Sequence, residues 1–174
     1  MNNKPLIGIV MGSDSDLAVM SEATALFEEF GVPYEISVAS AHRAPALVHD
    51  YSVNAKGKGI KVMMAAAGGA AHLAGVVAAL TTLPVIAVPI KSKSLDGLDS
   101  LLSMVQMPPG IPVATVGINS AKNAGLLAVQ ILATNDEGLA QKLADYKTKM
   151  ASDINTKNEK LHSLGVKGYL DGMK

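Results

Sequence analysis

A histidine and an arginine stand side by side in "VASAHRAPA" (38–46), between a short apolar run and a proline. An imidazole titrates near neutrality, so His42 can give and take a proton at working pH. The Arg43 guanidinium can grip a phosphate through two parallel hydrogen bonds, with the Ser40 hydroxyl beside it. A second candidate loop, "MGSDSD" (11–16), sets hydroxyls and carboxylates at the start of an amphipathic stretch. Its backbone N–H groups can receive an anion at a helix N-terminus. Ordinary capping by Ser15, with Asp14 and Asp16 complementing the dipole, accounts for the same residues. The third loop, "AAAGGAAHL" (65–73), strings small residues together. Gly68 and Gly69 can offer amides to a carboxylate or oxyanion, or simply permit tight helix–sheet packing. His72, just inside the next helix, is a ligand group, a subunit contact or a satisfied core histidine.

Three separated loops act together only if a scaffold gathers them. The apolar runs "LIGIVMG" (6–12), "YEISVAS" (34–40), "IKVMMAAAGG" (60–69), "PVIAVPI" (84–90) and "PVATVGI" (112–118) each read as a buried strand ended by turn residues. Between the first two, Val19, Met20, Ala23, Leu26, Phe27 and Phe30 recur at helical spacing, and Gly31 supplies a stop. Leu47, Val48, Tyr51 and Ala55 repeat the pattern with Pro45 suited to a first turn, which leaves His49, Ser52 and Lys56 on the opposite face. "AHLAGVVAALTT" (71–82) is apolar nearly all round and reads as a buried helix, with shorter helices at 96–105 and 120–133. Strand and helix in alternation predict a three-layer α/β sandwich: a flavodoxin-like parallel sheet with helices on both faces. Ligands of such sheets bind beyond the carboxyl ends of the strands, which directs attention to 12–16, 40–43 and 66–72.

The last stretch differs. "TNDE" (134–137) has the form of a capping box, and Leu139, Leu143, Tyr146, Met150 and Ile154 follow in a narrow stripe. An extended C-terminal helix is expected, packing either across its own domain or on another subunit. The tail after 162 shows little periodicity and reads as loosely ordered or as a small docking segment. The whole of 1–174 is expected to form one domain, with 133–174 as its C-terminal helix and tail.

Composition excludes several classes. Lys plus Arg equals Asp plus Glu at 15 each, so the net charge is zero and the footprint of a nucleic-acid binder is missing. Two Phe, four Tyr and no Trp leave few platforms for stacking a base or a flavin. Without cysteine there is no disulfide, thiolate metal site or thiol nucleophile. No histidine pair has metal-ligand spacing, so no metal is expected, and His49 and His162 are expected to face solvent. The 49% hydrophobic content over 174 residues fits a fully covered sheet or further burial between subunits. With no leader or spanning segment legible, a soluble cytoplasmic protein without membrane or nucleic-acid partners is expected.

Taken in order, "MGSDSD" (11–16), "SAHRAP" (40–45), "AGGAAHLAG" (67–75), "LDSLLSMVQMP" (98–108) and "PVATVGI" (112–118) resemble the segments of the N5-carboxyaminoimidazole ribonucleotide mutases of purine biosynthesis. Two positions depart: Leu17 stands where that family commonly has Trp, and Ala74 where it commonly has Pro. The resemblance implies a reaction without metal, biotin or nucleotide cofactor, in which a carboxylate moves from the exocyclic nitrogen of the substrate to ring carbon C4. It implies His42 as the proton carrier; Arg43, Ser13 and Ser40 on the phosphate; and Asp16 on the ribose. Ser15 with the Gly68 and Gly69 amides would face the migrating carboxylate, and Ala70 and His72 complete the substrate-binding set. It further implies a homo-octamer in which His72 and Gln106–Met107–Pro108 help build shared sites, with N5-carboxyaminoimidazole ribonucleotide synthetase as a functional partner. Two alternatives carry the same loops. One is direct carboxylation of aminoimidazole ribonucleotide by carbon dioxide; the other is a non-catalytic module for a ribosyl phosphate, which has no use for a proton carrier at 42. An electron carrier lacks the aromatics and phosphate loop a flavin needs, and a receiver domain lacks a lysine at the appropriate later strand end.

Overall fold

The computed structural model describes residues 4–173. Five strands, β1 (Ile7–Met11), β2 (Tyr34–Val38), β3 (Val62–Gly68), β4 (Val85–Ile90) and β5 (Ala114–Thr115), form one sheet in the order β2-β1-β3-β4-β5, parallel throughout. This is the flavodoxin-like order, in which the chain reverses direction of travel across the sheet after β2. Helices α1 (Leu17–Phe30), α2 (Pro45–Lys58), α3 (Leu73–Leu80), α4 (Leu98–Val105) and α5 (Ala121–Ala133) make the connections and the closing helix. The three-layer arrangement expected from the sequence is the one observed.

Side chains alternate across each strand, so two cores form. Val10, Met63, Ala65 and Ala67 pack with Val48, Tyr51 and Ala55 of α2 and Leu73, Ala74 and Val77 of α3. Ile9, Met11, Met64 and Ala66 point to the other face and are fully or almost fully buried. The helices α1 and α5 meet closely there because Gly125 has no side chain: a Cβ would lie 3.0 Å from Leu26 and 3.4 Å from Ala23. Gly8 serves the first core in the same way. A Cβ on it would come within 2.8 Å of Ile60, 2.9 Å of the Tyr51 hydroxyl and 3.0 Å of the Met63 sulfur.

The local signals act as their chemistry requires. Gly31 ends α1 in the left-handed conformation, its N–H donating to the Glu28 carbonyl at 3.1 Å, and Pro45 occupies the first turn of α2. Several expectations are corrected. β2 is not buried: it has a neighbour on one side only, and Ile36 and Val38 are exposed. β5 is two residues long, with Val116 N–H still reaching the Ala87 carbonyl at 3.1 Å. Leu47 faces outward, whereas Ser52 faces inward and is buried, its hydroxyl satisfied by donating to the Val48 carbonyl at 2.7 Å. His49 and His162 do face solvent. Val76 and Ala79 leave one side of the apolar α3 uncovered in the single chain.

The chain divides into two compact units, one ending at Leu132 and one beginning at Ala133. The second is a long helix, α6 (Glu137–Asp171). Its cap is Asp136, not Thr134: the Asp136 carboxylate accepts the Leu139 N–H at 3.0 Å. The tail past 162 is helical, and Gly165 (φ 63°, ψ 173°) breaks the helical geometry within it. Along the expected stripe, Leu139 is buried, Leu143 and Tyr146 are intermediate, and Met150 and Ile154 are exposed. No described helix is long and apolar enough to cross a membrane.

Candidate active site

A parallel sheet aligns every strand's carboxyl end on one edge, and the loops leaving β1, β2 and β3 therefore meet there. They surround a cleft of about 570 Å³ lined by Gly12, Ser13, Ser15, Asp16, Ser40, His42, Arg43, Gly68, Gly69 and His72, among others. Nine of the ten residues singled out in the sequence line it. The tenth, Ala70, is exposed at the turn after Gly69 and is not among the lining residues.

The β1 loop is built around Ser13. It is the cap of a short 3₁₀ turn (Asp14–Asp16), accepting the Ser15 N–H at 3.3 Å, and Ser15 Oγ lies 2.9 Å from Ser13 Oγ. Capping therefore falls to Ser13 and not to Ser15. Asp16 is buried, at 5% exposure. Burial pushes its pKa above the ordinary 3.8, while hydrogen bonds from the Ser13 backbone and the Ser15 hydroxyl pull it back and the Asp14 charge raises it further. A carboxylate held this way, at the cleft wall, is an acceptor waiting for a donor such as a hydroxyl.

The β2 loop turns over Ser40, whose carbonyl accepts the Ala44 N–H at 2.9 Å and whose hydroxyl accepts the Arg43 N–H at 3.3 Å. That turn sends His42 and Arg43 into the cleft together. Arg43 Nη2 donates to the Gly12 carbonyl at 2.9 Å, which ties the guanidinium to the end of β1 and leaves its other N–H groups for a ligand. His42 Nε2 faces His72 Nδ1 at 2.9 Å, with the two rings edge to face and their centroids 5.0 Å apart. One of these nitrogens carries the proton and the other accepts it. His72 stands at the N-terminus of α3 without capping it through its side chain and lines the cleft, so the reading of it as a core histidine falls away.

The β3 end is the narrow wall. Gly68 sits against β4, where a Cβ would meet the Ile90 carbonyl at 3.4 Å, and Gly69 adopts φ 67°, a backbone conformation open to glycine. Ala71 follows at φ 46°, strained for a residue with a side chain.

A fourth strand end, not among the three expected from the sequence, contributes as well. Lys91 and Ser92, directly after β4, also line the cleft. The rule that selected the first three loops selects this one too, because "PVIAVPI" ends at residue 90. Gln106–Met107–Pro108 does not line the cleft of the single chain; Met107 instead packs where Gly75 of α3 lacks a side chain, 3.2 Å from that Cβ position. Leu17 is half exposed and Ala74 fully buried, so neither departure position removes a polar group from the cleft. Among the described residues no three His, Asp or Glu side chains converge as metal ligands.

Fold and cleft together define a flavodoxin-like α/β protein with an arginine and a histidine pair in a cleft at the sheet's carboxyl edge. Residues 6–153 match the AIR carboxylase family, and the chain belongs to that family. It is 56% identical over 169 residues to the N5-carboxyaminoimidazole ribonucleotide mutase of Pyrococcus horikoshii, covering 97% of this chain and 96% of that one. The Saccharomyces cerevisiae phosphoribosylaminoimidazole carboxylase is 52% identical over 168 residues, which span 97% of this chain but 29% of the yeast protein. Among solved structures, Treponema denticola PurE superposes with a TM-score of 0.83 at 32% identity, covering 90% of this chain and 98% of that one.

Proposed function

We propose that this protein is a mutase converting N5-carboxyaminoimidazole ribonucleotide to 4-carboxy-5-aminoimidazole ribonucleotide in purine biosynthesis. The observation that carries the reading is the His42–His72 pair, 2.9 Å apart, between an arginine on one side and the small-residue end of β3 on the other.

The substrate's carbamate leaves its nitrogen when that nitrogen is protonated. His42 gives the proton, the C–N bond breaks with its electron pair remaining on nitrogen, and carbon dioxide is released beside aminoimidazole ribonucleotide. The electron-rich C4 then attacks the carbon dioxide, forming the C–C bond and returning the negative charge to the new carboxylate. The adduct still bears a proton on C4. His42 removes it, which restores aromaticity and the starting state of the histidine, so the sum is an isomerisation. Such positioned proton transfers contribute on the order of 10²–10⁴ in rate. His72, by facing Nε2, sets which nitrogen of His42 holds the proton.

The remaining groups hold the substrate still. Arg43, Ser13 and Ser40 take the phosphate, and the buried Asp16 accepts from the ribose. Ser15 and the Gly68–Gly69 amides face the migrating carboxylate. The wall of alanines and glycines keeps carbon dioxide near C4 between the two steps. No metal or organic cofactor enters, because the carbon dioxide comes from the substrate itself. The same reading places the protein in the cytoplasm, supplied by the synthetase that makes its substrate, as a homo-octamer. The exposed Met150 and Ile154 of α6 and the uncovered side of α3 support burial against neighbouring subunits.

The yeast relative's name favours one other reading, direct carboxylation of aminoimidazole ribonucleotide. Two mixtures decide between them. Rapid product from fresh N5-carboxyaminoimidazole ribonucleotide, and not from aminoimidazole ribonucleotide with modest bicarbonate, is the expected result. Efficient use of the second mixture would make the protein a carboxylase, and silence from both would leave a binding module.

A further inference from the structure

Lys91 lines the cleft, yet the reaction above gives it nothing to do. It is held more carefully than a surface lysine requires. Its backbone N–H donates to Asn119 Oδ1 at 2.9 Å, and Asn119 is itself fixed by donating its own N–H to the Pro89 carbonyl at 2.8 Å. Its ammonium lies 3.1 Å from Asp96 Oδ1. Among the described residues, three with side chains have left-handed backbone: Ala71, Asp96 and Asn119. The first lines the cleft and the other two grip Lys91. Backbone strain concentrated at one edge of the sheet marks a place where geometry is selected over local comfort.

Arg43 and Lys91 are the two permanent cations among the cleft's lining residues. Arg43 is tied over the end of β1, and Lys91 leaves the end of β4, with β3 between them. Two inter-strand spacings, about 10 Å, separate these anchoring points. A cleft with a cation at each side suits an elongated ligand with an anionic group at either end. Lys91 follows Ile90, the strand partner of Gly68, so it stands on the carboxylate side and not on the phosphate side.

We propose that Lys91 is a specificity-determining residue that binds the substrate's carboxylate over the Gly68–Gly69 turn, exchanging Asp96 for the ligand. The Lys91–Asp96 pair is exposed on both sides, with side chains 59% and 83% accessible, and a pair in water opens at little cost. Asp96 thus parks the ammonium at the rim until a carboxylate arrives. This inference rests on the mutase reading for the identity of the ligand.

Its test is equilibrium binding of two ribonucleotides that differ by one carboxylate: aminoimidazole ribonucleotide and 4-carboxy-5-aminoimidazole ribonucleotide. In Lys91→Gln the carboxylated ligand is expected to bind about tenfold more weakly, as loss of a charge-assisted hydrogen bond implies, with the uncarboxylated one unchanged within about twofold. Asp96→Asn, which frees the ammonium, is expected to tighten the carboxylated ligand alone. Lys91→Met repeats the first comparison without a polar replacement, and thermal melts confirm that all three variants are folded. Equal loss for both ligands, or no change for either, would overturn the proposal. If the unaltered protein binds both ligands but turns over no substrate, the mutase reading fails while the comparison still decides Lys91. If it binds neither, both fall.

Discussion

His42 and His72 are thirty positions apart in the chain, and their facing ring nitrogens are 2.9 Å apart in space. Only the side-by-side placement of the β2 and β3 loops, with β1 between them, achieves this. Either imidazole alone is an ordinary polar side chain. Together they form a proton-sharing pair whose state a ligand can perturb.

His42→Asn removes the proposed proton carrier and keeps the cleft's shape. Turnover of N5-carboxyaminoimidazole ribonucleotide is expected to fall by roughly 10²–10⁴, with substrate affinity held within a few-fold. Product formation and direct binding, measured on the same preparation, check it. Wild-type turnover would remove His42 from the mechanism.

At His72 the two replacements should diverge. Asparagine can present a polar atom near the position of Nδ1 and leucine cannot. His72→Leu is expected to lower kcat about tenfold or more, and His72→Asn to recover part of that loss, if the partner sets the tautomer of His42 as proposed. Equal activity in the two variants would assign His72 to substrate contact alone.

Asp16 carries a stability cost that depends on pH. Its folded pKa is raised above 3.8 chiefly by burial, so the ionised form is disfavoured in the fold relative to the unfolded chain. The cost is full above the raised value, shrinks as pH falls through it, and vanishes below 3.8, where both states are protonated. Asp16→Asn is therefore expected to raise the Tm at pH 7 and to lose that advantage near pH 3.5, while weakening substrate binding. Melting curves at the two pH values, beside one binding measurement, test both halves.

The hydroxyl of Tyr51 is buried and makes no hydrogen bond of good geometry, though Glu35 and Ser37 stand near it. Burial and then the Glu35 charge push its pKa well above the ordinary 10. Tyr51→Phe is expected to leave stability unchanged or raise it by up to about 1 kcal/mol, because an unmade bond is removed. Gly8→Ala is expected to cost about 1–3 kcal/mol by overpacking. The hydroxyl is one of the atoms its Cβ would strike, so the double variant should recover part of the loss. Denaturant titrations of the three variants measure the coupling.

If α6 packs on neighbouring subunits, Met150→Asp with Ile154→Lys should reduce the assembly to smaller species. Light scattering coupled to size exclusion reads the change. A monomer before any substitution would end the octamer proposal.

The alternation of five apolar runs with amphipathic stretches was enough to predict a parallel sheet, since only crossover helices bury both faces of such strands. The loops at 12–16, 40–43 and 66–72 were legible because a parallel sheet puts all carboxyl ends on one edge, whatever the sequence distance between them. Gly31 and Pro45 were legible because their constraint lies within the residue itself. Other features depend on neighbours the sequence does not name. Ser52 is tolerated inward because its hydroxyl donates a hydrogen bond to the Val48 carbonyl, and β2 is exposed because it is an edge strand. Asp136 took the cap expected of Thr134, its carboxylate accepting the Leu139 N–H. The pairing of His42 with His72, the burial of Asp16 and the placing of Lys91 by Asp96 and Asn119 belong to tertiary structure alone. Residue type and periodicity set which groups can react; distances between groups far apart in the chain exist only after the strands have paired.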